Sequence, residues 1–165
     1  MSPDNWTIHC LKWNQGNISC QSGKKKVVFM VYYAVIDTNV FILALLSKHS
    51  DVATVRVIEA MFDGKIIPLY HEDILAEYDE VLHRSKFHFK EETVQLVINA
   101  VKQYGIEVFP QPTGEILVDM DDLIFYEVAM EKREDDAYLI TGNKKHYPIR
   151  DFIVTPAEMM EIIEG

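Results

Sequence analysis

The sequence predicts an α/β protein built on a parallel sheet with helices on both faces. Three observations lead there. From Val31 onward, short β-branched apolar runs alternate with longer segments of helical spacing. The 165 residues, 48% of them apolar, suffice for one domain with a real core but not for two. Acidic and small polar residues gather at strand ends and helix starts, where open parallel sheets place their ligands.

The elements follow in order. Met1–Gly23 is polar and without period, holding two Trp and scattered Asn, Ser and Gln. Met30 directly precedes a strong strand, so residues 1–29 read as a leader or other non-core extension and residues 30–165 as the domain. A genuine arm that docks on the domain or on a partner is the competing reading. Cys10 and Cys20 both lie in this segment. One optional pair fits a cytosolic chain better than a secreted, stapled one, so a cytoplasmic location is expected. The segment lacks the basic and apolar regions of a secretory signal. The apolar run Val27–Ile36 has about half the ~20 residues of a membrane helix and reads as a buried strand.

Val31–Asp37 is the first domain strand, and Asn39–Lys48 has helical spacing. Val52–Phe62 is amphipathic, with Asp51 placed to cap it and Gly64 beyond its end. Ile66–Leu69 is a strand. Glu72–His83 aligns Ile74, Leu75, Tyr78, Val81 and Leu82 on one stripe. Glu91–Tyr104 is a helix stopped by Gly105. Its residues Val94, Leu96, Val97, Ile98 and Val101 read as core packing, with a homodimer face as the alternative. Ile106–Phe109 is a strand and Pro110–Gly114 a turn. Asp121–Arg133 is a helix with acid in its first turn and Lys132-Arg133 in its last, as the helix dipole favours. Ala137–Thr141 and Phe152–Val154 are the last strands, and Pro156 opens a terminal helix.

Charge restricts the function. The formal net charge is −10, and Met1–Phe29 sets Lys12, Lys24, Lys25 and Lys26 against Asp4 alone, leaving −13 on the remainder. A basic footprint is the usual mark of nucleic-acid binding. Either the acid is concentrated where divalent cations neutralise it, or nucleic acid is not the substrate, or the chain has an ordinary acidic surface.

The acids fall in a pattern. Asp37 ends the run Ala34-Val35-Ile36 and precedes Thr38-Asn39. A carboxylate beside a buried strand is costly unless paired or metal-bound, although a helix cap explains it equally. Glu77 sits among Ile74, Tyr78 and Val81 on its helix. Asp119-Met120-Asp121-Asp122 crowds three acids into four positions, where mutual repulsion favours a cation. Three carboxylates from separate strand or helix ends suit one or two hard divalent ions, the setting of phosphodiester hydrolysis. There is no P-loop, no dinucleotide fingerprint and no Ser or Cys nucleophile motif.

These motifs, taken together, resemble the PIN-domain nucleases. Val35-Ile36-Asp37-Thr38-Asn39-Val40 resembles their opening motif. Ile74 to Leu82 with Arg84 resembles the helix of the second acid. Asp119–Asp122 followed by Phe125–Ala129 resembles that of the third. Tyr138–Asn143 resembles the strand and loop of the last active-site position. Lys144-Lys145-His146-Tyr147-Pro148 is similar to a bacterial subgroup of toxin components of toxin–antitoxin pairs. The resemblance runs from about Val31 to Glu161.

The resemblance implies a three-layer α/β/α sandwich around a parallel sheet of about five strands. It implies a Mg2+- or Mn2+-dependent endonuclease acting on single-stranded or structured RNA, and a small antitoxin protein as partner. Asp37, Glu77 and Asp122 match the catalytic acids, and these three with Asn143 match the metal positions. Asn143 stands where the family often has a fourth acid, and its amide oxygen can ligate but brings no charge. Thr38 and Thr141 are expected to hydrogen-bond the carboxylates or a phosphate, Asn39 to cap the first helix, and Asp119 to support the site. Arg84, Lys144, Lys145 and His146 are candidates to position the RNA backbone. A catalytically silent PIN-fold scaffold and a small-molecule phosphohydrolase are the alternatives.

Overall fold

The computed structural model describes residues 11–14, 17–22 and 25–165. The readings made for residues 1–10, including any pairing of Cys10, lie outside the described residues. Strands β1 (Leu11–Asn14), β2 (Asn17–Ser22) and β3 (Lys25–Met30) form a separate antiparallel sheet. Its registers set Leu11 against Cys20 and Asn17 against Met30. These strands fall in the stretch read as polar and aperiodic, and the single strand over Val27–Ile36 is corrected. That run divides between two sheets at Val31, which is buried but lies in neither strand.

The domain sheet begins at β4 (Tyr32–Ile36), followed by α1 (Thr38–Leu46), α2 (Ala53–Phe62) and β5 (Ile66–Tyr70). Helices α3 (Glu72–Leu82) and α4 (Glu91–Tyr104) lead to β6 (Ile106–Glu107). Then come α5 (Leu123–Glu131), β7 (Tyr138–Ile140), β8 (Ile153–Val154) and α6 (Pro156–Glu164). The five strands β4–β8 are all parallel, in the order β6-β5-β4-β7-β8. Ala34, Val35 and Ile36 are each fully buried, so β4 is covered on both faces, as a central parallel strand must be. Helix α5 packs across β4, β5 and β7, while α2 and α4 pack on β5 and α6 on β8. No helix of the described residues is long and apolar enough to cross a membrane.

Several local expectations change. Helix α2 is capped at Val52, not Asp51, and without a side-chain bond, because the chain turns into the helix one residue later. The helix expected over Asp121–Arg133 has a 3-10 turn at each end, Met120–Asp122 and Arg133–Asp135. The Asp119 carboxylate starts the first of these turns early by accepting from the amide of Asp121 at 3.1 Å. The strand Ile106–Phe109 shortens to two residues, although Val108 N–H still donates to Tyr70 at 2.7 Å. On α4, Val94, Val97, Ile98 and Val101 are core while Leu96 is 61% exposed. Gly105 ends that helix where no larger residue fits: a Cβ there would meet the carbonyl oxygens of Val101 and Pro68 at 2.3 and 2.5 Å.

Strand order locates the site. From β4 the chain adds β5 and then β6 on one side, and returns to add β7 and β8 on the other. The order therefore reverses between β4 and β7, and the crevice at their C-terminal ends is where such sheets bind ligands. Asp37 follows β4 and Thr141 follows β7 at that crevice.

Candidate active site

Asp37 is the centre of the crevice. Its backbone N–H extends the ladder to Ile140 O at 2.9 Å, and its residue is 6% exposed. Two hydroxyls donate to the same carboxylate oxygen, Oδ2: Thr141 Oγ1 at 2.8 Å and Tyr147 Oη at 3.0 Å. Among the described residues no side chain bonds Oδ1. Burial pushes the Asp37 carboxyl above the usual range. The two hydroxyls, then the amides of Asn39 and Thr38, oppose that shift, although α1 closes no cap hydrogen bond with the side chain.

Asp122 stands at the N-cap of α5. Its carboxyl is pushed up to about 6, first by burial and then by the negative charge of Asp37. His146 restrains it, with Nδ1 standing 3.0 Å from Asp122 Oδ2. The other ring nitrogen, Nε2, is 2.9 Å from the amide nitrogen of Asn143. An amide nitrogen only donates, so Nε2 accepts and Nδ1 carries the proton given to Asp122, a tautomer assigned from its partners. Consecutive residues of one loop thus hold the two carboxylates: His146 holds Asp122 and Tyr147 holds Asp37. That loop joins β7 to β8 and contains a 3-10 turn over Lys144–His146.

Glu77 stands on α3, half-buried. Burial raises its carboxyl, followed by the charge of Glu80, with Asp121 and Asp122 adding to the effect and Arg84 opposing it. It lines an open acidic cleft of about 430 Å³ with Asp73, Glu80, Met120, Asp121 and Glu127. The next residue, Tyr78, is fully buried and donates its hydroxyl to the carbonyl of Ile36, just before Asp37. The helix of Glu77 is therefore pinned to the strand of Asp37.

The supporting residues divide. Thr141 bonds Asp37 as expected and also accepts from Asn143 N–H at 3.0 Å. Thr38 does not bond a carboxylate: its hydroxyl is buried without a hydrogen-bond partner among the described residues. Asn39 does not cap α1, whose N-cap is Asp37. Its side-chain oxygen instead accepts from Gly142 N–H at 3.1 Å, tying α1 to the end of β7. Asp119 caps the turn that presents Asp122, and its charge adds to the upward push on that carboxyl. Arg84 is paired with Glu80 at 3.0 Å and Lys144 with Glu158 at 3.1 Å, while Lys145 is exposed with no ion pair among the described residues. His146 is spent inside the site. Asp136, beyond the opposite end of β7, is exposed and does not replace the missing fourth acid.

Among the described residues, no three carboxylate, imidazole or thiolate groups stand close enough to enclose an ion unaided. Asp37, Glu77, Asp122 and Asn143 are therefore not gathered into one closed ligand set. The candidate ligands Asp37, Glu77, Asp122 and Asn143 all offer oxygen, and a hard cation that keeps several waters needs only one or two carboxylates. Two carboxyls held above their usual range, one by the other's charge, fit such an ion. Tyr147 and Tyr78 were missed from sequence. One sits beside a proline and the other in an apolar stripe, so both read as packing.

A family model described as PIN domain matches residues 33–145. No curated protein matches the chain.

Proposed function

Because this chain belongs to the PIN domain family, whose members are generally nucleases, we propose that residues 30–165 form a Mg2+- or Mn2+-dependent endoribonuclease. The observation that carries this reading is the pair Asp37 and Asp122. They are 85 positions apart in the sequence, yet both are bound by consecutive residues of the β7–β8 loop, Asp122 by His146 and Asp37 by Tyr147, and Asp122 is raised to about 6 first by burial and then by Asp37's charge. Two like charges held this way favour a cation between them.

Asp37 and Asp122 would hold the ion directly or through water, with Asn143 Oδ1 as a neutral third donor. The ion, when bound, supplies charge neutralisation at the phosphate and an acidified water. Thr141 and Tyr147 fix Oδ2 of Asp37 and leave Oδ1 without a side-chain partner among the described residues. His146 does the same for Asp122. Glu77, whose carboxyl burial and the charge of Glu80 raise above its usual range, would orient the attacking water. The products are a 5′-phosphate and a 3′-hydroxyl. The acidic cleft beside Glu77 supports a toxin role with a small antitoxin partner, since a basic segment would fill it and block RNA.

The test is cleavage of a labelled panel of RNA and single-stranded DNA with Mn2+ and then with EDTA, for wild type and Asp37→Asn. The proposal expects RNA cutting that disappears with EDTA and falls at least a hundredfold in the variant, of the order seen when a transition-state charge partner is lost. Mn2+ binding without turnover would leave a silent scaffold instead. An Asp37→Asn protein that cuts RNA at the wild-type rate would sink the mechanism.

A further inference from the structure

The domain's acidity is interrupted at the end of α3. Residues 81–90, Val-Leu-His-Arg-Ser-Lys-Phe-His-Phe-Lys, contain three Lys or Arg, two His and two Phe and no acid. This segment adjoins the site. Its Arg84 bonds Glu80, which lines the cleft with Glu77, and Leu82, the last residue of α3, is about 8 Å along the helix axis from Glu77.

The segment has a built shape. A 3-10 turn spans Ser85–Phe87 and ends at His88, whose φ of 56° is left-handed. That uncommon conformation for a histidine turns the chain so that the rings of Phe87 and Phe89 stack at 5.6 Å, only 12° from parallel. Lys86 Nζ lies 5.0 Å from the centre of the Phe87 ring. Core packing explains Phe89, which rests on the domain core. It does not explain Phe87, which is half-buried yet lies outside that core. Lys86 and Lys90 are exposed and make no ion pair among the described residues, despite the acidity of the chain.

A ring flanked by cations that make no ion pair suits one ligand chemistry: a nucleobase takes the place of the exposed Lys86 ammonium over the Phe87 ring while the ammonium groups meet the flanking phosphates. We infer that Lys86, Phe87 and Lys90 form a binding platform for single-stranded nucleic acid that holds the strand beside the carboxylates. The inference rests on the nuclease reading and gives that site its substrate form, an unpaired strand. It also answers the charge problem: a short local platform replaces a basic surface.

The test is fluorescence anisotropy of a fluorescein-labelled 12-residue oligouridine in EDTA, so that binding is read without cleavage. Phe87→Ala should weaken binding about tenfold or more, and Phe87→Tyr should restore it. Phe87→Leu, which keeps apolar bulk, should fold like wild type yet bind like the alanine variant. Lys86→Gln with Lys90→Gln should flatten the salt dependence by about 1.4 in log–log slope, the loss of two single-strand phosphate contacts. A labelled duplex should bind more weakly than the single strand. Wild-type affinity in the Phe87→Leu and double-lysine variants would overturn the platform, and so would equal affinity for the duplex. If Mn2+-loaded wild type still cuts RNA in that case, the nuclease reading stands alone. If it neither binds nor cuts, both fall.

Discussion

Burial and hydrogen bonding act on Asp37 in opposite directions. Burial lifts its carboxyl, while the hydroxyls of Thr141 and Tyr147 favour the ionised form. Removing one donor leaves part of a buried charge uncompensated. Tyr147→Phe should therefore destabilise the metal-free protein by roughly 1–3 kcal/mol at pH 8, measured by urea unfolding in EDTA. The deficit should narrow as pH falls and Asp37 takes up a proton. Equal loss at every pH would mean that Tyr147 matters only as packing. This partnership was not legible in the sequence. An acid closing a buried strand is conspicuous, and so are three acids at a helix start. A tyrosine 110 positions away announces nothing, because only the fold decides which hydroxyl reaches Oδ2. For Thr38 the converse holds: proximity in sequence to Asp37 did not aim its hydroxyl at the carboxylate, which leaves a phosphate as the expected partner.

Elements were legible wherever periodicity and a terminator agreed. Helix α4 spans Glu91–Tyr104 as its pattern predicts, and Gly105 ends it. The glycine is required by crowding, not by a left-handed backbone, since its φ is −101°. Gly105→Ala must push a Cβ between two backbone carbonyls that side-chain motion cannot move aside. The expected cost is about 2 kcal/mol or more, seen as a fall in thermal midpoint. A midpoint within a degree of wild type would show that the α4–β6 junction yields easily. Ends set by capping were read less well. The motif Thr155-Pro156-Ala157-Glu158 is a complete capping box for α6, with Thr155 and Glu158 each satisfying the other's amide. The proline alone had marked that start. At α2 the acid beside the helix was mistaken for its cap, because spacing does not reveal where the chain turns.

At the scale of the molecule, the domain gathers unfavourable charge in its crevice. The carboxyls of Asp37, Glu77 and Asp122 all lie above their usual range. For Asp122 the folded value is about 6, against about 3.9 in an unfolded chain. The folded state then holds more protons than the unfolded one between these values, so stability falls as pH rises through that window. In EDTA the thermal midpoint should be higher at pH 5 than at pH 7.5, by on the order of 5 °C. Millimolar Mn2+ at pH 7.5 should recover the difference. A midpoint that is flat with pH and indifferent to Mn2+ would show that these charges are not coupled. The alternation of strands and helices made the parallel sheet legible. Strand order was not, yet strand order is what juxtaposes β4 with β7 and so creates the site.

That order has a consequence during synthesis. A ribosome releases Asp37 early, together with the strand and helices that follow it, but Thr141, His146 and Tyr147 emerge more than a hundred residues later. Until then the nascent chain carries Asp37 without either hydroxyl donor and Asp122 without its imidazole, and β7 has not docked beside β4. Domains fold largely as units, and pairing across such separations is slow. On the proposed nuclease reading the polypeptide cannot cut RNA until the β7–β8 loop has left the exit tunnel and docked beside Asp37 and Asp122.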